Sequence, residues 1–227
     1  MYIANQLYKF NDHRLPENFI SIAVQISDRD KIPVHAALLI RHKKIDYLYH
    51  FPGSRLPLVE CHFNKSGWHI YKILDSFNVD DESEISSVLQ HCKRICDQSK
   101  ITYSYILDGS RYDDNGNHIS KTKLPELGTC VGFCINTLNN ILIDVVDGLL
   151  CLDDWDNSNI IEKVDQMSIE QVQSKYPSID WTEYNAYKKR VTPLEFLCIS
   201  YFNEFPIHKS QIEEISNDVQ KEILSLY

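Results

Sequence analysis

The sequence predicts an α+β protein: an antiparallel sheet first, one helix in the middle, and helices through the final third. Three observations point there. Residues 20–74 carry short runs of β-branched and aromatic residues broken by polar turns. Residues 82–98 carry apolar residues at helical spacing. The last third carries three patterns of the kind that cap helix starts.

In chain order, Ile20 to Ile26 alternates as a half-buried strand does, and Val34 to Ile40 reads as a fully buried one. Arg41-His42-Lys43-Lys44 is a polar turn into the strand Ile45 to Phe51, which Pro52-Gly53 stops. Leu58 to Phe63 and Trp68 to Ile73 read as two further strands, with Asn64-Lys65-Ser66-Gly67 as the turn between them. A helix is expected over 82–98, because Ile85, Val88, Leu89, Cys92 and Cys96 share a face. Tyr103 to Leu107 is read as extended and Asp113 to Asn117 as a turn, and a second helix is expected from Cys130 through Ile143. Ser168 with Gln171, Thr192-Pro193 with Glu195, and Ser210 with Glu213 are the capping-box patterns. The last helix should bury Ile212, Ile215, Val219, Ile223 and Leu226. The expectation is a single domain over 1–227, with a core at about 18–150 and a helical extension at about 151–227.

Composition narrows the function classes. At 43% hydrophobic and 24% charged residues the chain has enough apolar surface to fold, which argues against disorder. Its net charge of −9 disfavours bare nucleic acid and anionic lipid as partners. No stretch approaches the ~20 apolar residues of a membrane span, so no stable membrane insertion is expected. The opening residues lack the basic-then-apolar shape of a secretory signal, and seven cysteines without tight spacing suit a reducing compartment. A cytoplasmic location follows as the expectation.

The chemistry concentrates in Gly128-Thr129-Cys130-Val131-Gly132-Phe133-Cys134. Gly128 permits a sharp turn, Thr129 is a good N-cap, and Cys130 falls in the first helical turn. There, unpaired N–H groups and the helix dipole favour a thiolate. A free cysteine is more often a small buried residue, so the position alone leaves both readings open. A nucleophilic thiol needs a base, and the base needs an orienting group. His35 interrupts an apolar strand and is either that base or a satisfied core histidine. His50, ending the neighbouring strand, sits where a hairpin would bring it near His35; His62, next to Glu60, is the rival third member.

Pro33-Val34-His35-Ala36-Ala37-Leu38-Leu39-Ile40 followed by Tyr47-Leu48-Tyr49-His50-Phe51-Pro52-Gly53 resembles the opening of circularly permuted papain-like thiol hydrolases. That superfamily includes permuted NlpC-type peptidases, lecithin retinol acyltransferase-like proteins and PPPDE-type isopeptidases, in which the histidine strand precedes the cysteine helix. Thr129-Cys130-Val131-Gly132-Phe133 is similar to the nucleophile motif, with Thr129 where Asn or Ser is usual. Tyr103-Ser104-Tyr105 resembles the tyrosine segment that precedes it, and Val191 to Leu197 resembles a Thr-Pro helix start seen after the core. The resemblance covers roughly residues 30–145. It implies an antiparallel sheet packed against a nucleophile helix, with Cys130 as nucleophile, His35 as general base and His50 as the third member. It also implies cleavage of an amide, isopeptide or ester bond in a peptide, peptide-conjugate or acyl substrate, without a cofactor. A catalytically inactive member of the same fold, serving as a binding or immunity module, is the alternative reading.

Metal chemistry finds no support in the spacing. Asp154 to Asn159 places oxygens at alternate positions with Asp165 at the twelfth, but Asn159 and Asp165 replace the Gly and Glu of a calcium loop. Cys92/Cys96 beside His91, and Cys130/Cys134, each lack two further zinc ligands.

Overall fold

A computed structural model describes residues 5–10, 12, 14–65, 68–142 and 148–227. Its centre is a five-stranded antiparallel sheet in the order β4-β3-β2-β1-β5, formed by β1 (Phe19–Ile26), β2 (Pro33–His42), β3 (Ile45–His50), β4 (Leu58–Glu60) and β5 (Trp68–Ile73). Six α-helices accompany it among the described residues: α1 (Glu82–Gln98), α2 (Cys130–Ile141), α3 (Glu162–Lys175), α4 (Trp181–Ala186), α5 (Pro193–Ile199) and α6 (Lys209–Ser225). The molecule is a mixed α+β protein. No helix of the described residues is long and apolar enough to cross a membrane.

The β2–β3 hairpin closes through Lys43 and Lys44, both at positive φ (52° and 66°), the geometry whose twist matches the flanking strands. That turn sets the register His42↔Ile45 through Leu38↔Tyr49 and leaves His50 as the last residue of β3. The strand pair expected across residues 64–67 does not form. β4 is only three residues long and flanks β3, whereas β5 pairs with β1 at the opposite edge, Ala23 facing Tyr71. The reason lies in β1, whose residues are buried on both faces and whose backbone therefore needs a neighbour on each edge.

One sheet face turns Ile22, Val24, Ala36, Leu38 and Tyr49 into the main core, which α1, α2, α5 and α6 complete. Ala23, Ala37, Leu39, Leu48 and Tyr71 form a smaller core on the other face, covered by Tyr8, Phe10 and Leu15 of the N-terminal segment. α2 is fastened to β3 twice. Tyr49 stacks on Phe133 with ring centroids 4.8 Å apart, and its buried hydroxyl donates to Thr137 Oγ1 at 2.6 Å.

Helix ends explain the remaining differences. α1 begins where expected because the Asp81 carboxylate accepts the N–H groups of Ser83 and Glu84. Thr192 and Glu195 make the expected capping box, with Pro193 in the first turn. Ser168 instead lies inside α3 and donates to the Asp165 carbonyl, and α6 starts at Lys209 with Gln211 accepting from the His208 N–H, so neither Ser168 nor Ser210 is a cap. α2 closes at Ile141, and Ile143 lies outside the described residues. Short strands β6 (Thr102–Tyr103) and β9 (Leu127–Gly128) pair in parallel, and Ser104 N–H donates to the Gly128 carbonyl at 3.1 Å. Tyr103 is thereby pinned beside the turn that leads into Cys130. Strands β7 (Arg111–Tyr112) and β8 (His118–Ile119) form a small ribbon over the turn at Asp113.

Candidate active site

The hairpin delivers two imidazoles to one another. His35 Nε2 lies 3.1 Å from His50 Nδ1, and His50 Nε2 lies 2.8 Å from a Glu60 carboxylate oxygen on β4. Arg55 reaches the same Glu60 oxygen from the solvent side at 3.5 Å. The chain of contacts fixes the tautomers. A carboxylate only accepts, so neutral His50 donates from Nε2 and holds its lone pair on Nδ1. His35 must then donate from Nε2, which leaves the lone pair of its own ring on Nδ1. A basic nitrogen is thus assigned by the network, two residues away from the carboxylate that orients it.

Burial lowers both imidazoles. His35 falls from 6.5 to about 4, through desolvation and then the neighbouring His50. His50 is lowered by desolvation, against which Glu60 pulls upward. At neutral pH both rings are uncharged.

Cys130 opens α2. The Thr129 hydroxyl accepts the Gly132 N–H at 3.1 Å, capping the helix at the position the sequence predicts. The Cys130 sulfur meets the backbone N–H of Ala36, the residue directly after His35 on β2. The nucleophile candidate and the base candidate therefore border the same strand step. Cys130 belongs to the main core but keeps 9% of its surface, whereas Cys92 and Cys134 keep none. The expected thiolate is not the resting form. Burial pushes the Cys130 thiol up, and this outweighs the N–H groups of Ala36, Val131 and Cys130 and the nearby Arg190 charge, all of which pull it down. The helix start lowers the cost of a thiolate without reversing the desolvation.

Beside the thiol stands Tyr103, supported by further aromatic rings. Tyr103 packs on Phe51 (6.3 Å between centroids) and on Tyr105 (5.9 Å, edge to face). Gly53 has φ +83°, and a Cβ there would meet Tyr103 Cδ2 at 2.9 Å, so the Pro52-Gly53 turn that follows His50 fits only as glycine. Arg190 lies 5.7 Å over the Tyr105 ring and is held by the Asn159 carbonyl. It arrives through pairing of the 187–190 segment with 105–107, where Lys189 N–H donates to the Tyr105 carbonyl and Leu107 N–H to the Tyr187 carbonyl.

The structure brings His35 and His50 into contact and sets Cys130 against the backbone beside them. It does not bring in His62, which lies exposed beyond the end of β4. His50 holds the place that His62 was expected to contest, and Glu60 backs it. Glu60 and Arg190 are the residues sequence reasoning did not assign. Glu60 was legible as a neighbour of His62, but Arg190 lies sixty residues from Cys130 and carries no motif. The calcium-loop pattern also comes apart. Asp154 is bound by His208 and Lys209, while Asp165 is bound by Lys188.

Comparison of the chain with protein-family models, with curated proteins and with solved structures finds no match.

Proposed function

We propose that the protein is a cysteine hydrolase with a permuted papain-like core, cleaving an amide, isopeptide or ester bond through an acyl-thioester on Cys130. The observation that carries this reading is the relay from Glu60 through His50 to His35, placed on the strand step that the Cys130 sulfur touches. The alignment desolvates two imidazoles and ties them to a partly exposed carboxylate, more than a single structural hydrogen bond requires.

In this mechanism His35 Nδ1 takes the Cys130 proton as the sulfur attacks the substrate carbonyl. Both groups rest neutral, so charge separates only as the transition state forms. The thiolate and the oxyanion then face the N–H groups at the start of α2 and the Arg190 guanidinium. The imidazolium is stabilised through His50 by Glu60. His35 returns the proton to the departing amine or alcohol, leaving an acyl-thioester. A water then loses its proton to His35, attacks the thioester, and releases the acid and the free thiol. Tyr103, the half-buried ring beside Cys130 that buried Phe51 and Tyr105 support, is the aromatic surface that a peptide, a peptide conjugate or an acyl chain would meet.

Exposure to a panel of activated esters and thioesters, read by peptide-level mass spectrometry, tests the proposal. Acyl groups should accumulate on Cys130, vanish in Cys130→Ala and form more slowly in His35→Gln. Acylation confined to exposed Cys61 or to lysines would overturn it.

A further inference from the structure

A second group of reactive side chains lies outside the site above. Leu150 and Ile207 form a parallel bridge, with Cys151 N–H donating to the Ile207 carbonyl and Ile207 N–H to the Leu149 carbonyl, both at 3.0 Å. That bridge sets Cys151 beside His208. A 3-10 turn at Leu152–Asp154, closed by Asp154 N–H on the Cys151 carbonyl at 3.0 Å, folds Asp154 back over the pair. Asp154 Oδ2 is 2.8 Å from His208 Nδ1 and accepts the Lys209 N–H at 3.1 Å. One donor atom from each of Cys151, Asp154 and His208 falls within 4.8 Å of the other two.

We propose that Cys151, Asp154 and His208 form a binding site for a divalent transition-metal cation of the zinc class. A thiolate and an imidazole together select zinc, cobalt or nickel over calcium or magnesium, which prefer oxygen alone. Zinc bond lengths of 2.0–2.3 Å give a tetrahedron with edges of about 3.4 Å, so the three donors close by side-chain rotation on a backbone that is already tied down. Thiolate and carboxylate together neutralise the divalent charge, and Asp153 adds a third negative group next door. Binding displaces the Cys151 proton to solvent.

The setting favours an open coordination sphere. Asp154 and His208 face solvent, and Cys151 and Asp153 line a cavity of about 540 Å³ whose walls include Lys121, Asn139 and Leu150. Three protein donors, of which Cys151 alone lines the cavity and the other two face solvent, leave the fourth position to water or to a ligand. The site stands apart from the Cys130 proposal, and neither depends on the other.

Titration of the full chain with Co²⁺ tests the inference. One equivalent should produce a thiolate-to-cobalt charge-transfer absorption that Zn²⁺ abolishes. The absorption should be lost in Cys151→Ser, require at least about tenfold more cobalt in His208→Ala, and be unchanged in Cys130→Ser. His208 is exposed enough to remove without loss of packing, so that variant decides the matter if Cys151→Ser does not fold. No charge-transfer absorption, or one that survives His208→Ala unaltered or disappears in Cys61→Ser instead, would overturn the proposal.

Discussion

Replacing His35 with Gln should remove a defined share of the acid sensitivity of the fold. In the folded chain His35 titrates at about 4, against 6.5 when unburied, so the unfolded chain binds more protons between those values. Stability contributed by keeping this ring neutral is therefore complete above pH 6.5 and is lost as pH falls toward 4. From pH 8 to pH 5 the lost share is about 2 kcal/mol, from the ratio of unfolded to folded protonation. His50, His91 and His118 are also lowered by burial, so both proteins should weaken in acid. The difference between native protein and His35→Gln reports chiefly the His35 ring, which is lowered first by burial and then by its neighbour His50. Urea unfolding followed by tryptophan fluorescence at the two pH values measures it. The native protein should lose about 2 kcal/mol more than the variant across that interval. Parallel losses in the two proteins would refute the claim that His35 is held neutral by its surroundings.

Other consequences are equally direct. Glu60→Gln removes a charge-assisted bond to His50, so His50 should titrate lower by NMR, and turnover of an activated ester should fall about tenfold for a loss near 1.4 kcal/mol. Gly53→Ala forces a side chain into a left-handed turn and against Tyr103; about 1–2 kcal/mol of stability should be lost in urea unfolding. Thr129→Ala deletes the α2 cap and should cost about 1 kcal/mol by the same measurement.

What the sequence disclosed and what it hid divide along physical lines. Strands β1 to β3 and helix α1 were legible because alternation and helical spacing are local, and the two-residue turn between β2 and β3 sets the register at once. The same locality brings His35 and His50 near one another, since the two-residue turn fixes how β2 and β3 pair. β5 was misplaced because its partner is β1, some fifty residues back, and no turn residue encodes that pairing. The misread caps have a related cause: Ser168 and Ser210 have capping chemistry, but the helices begin where tertiary contacts allow. Within the candidate site, the N-cap and the thiol position were readable and the resting charge was not. Helix-terminus reasoning counts the favourable N–H groups, while the desolvation that defeats them depends on the tertiary packing that buries Cys130. Arg190 came from a segment with no signature and entered only through its pairing with residues 105–107.

The central claim is that His35 serves Cys130 as its base. Peptide-resolved alkylation of Cys130 by iodoacetamide between pH 6 and pH 9, in native protein and His35→Gln, addresses it most directly. Because thiol and imidazole rest neutral, the native rate should climb with pH instead of levelling off below pH 7 as a thiolate–imidazolium pair would. General-base assistance of about a hundredfold should make Cys130 far slower in the variant, while exposed Cys61 reacts alike in both. Equal Cys130 rates in the two proteins would contradict the account.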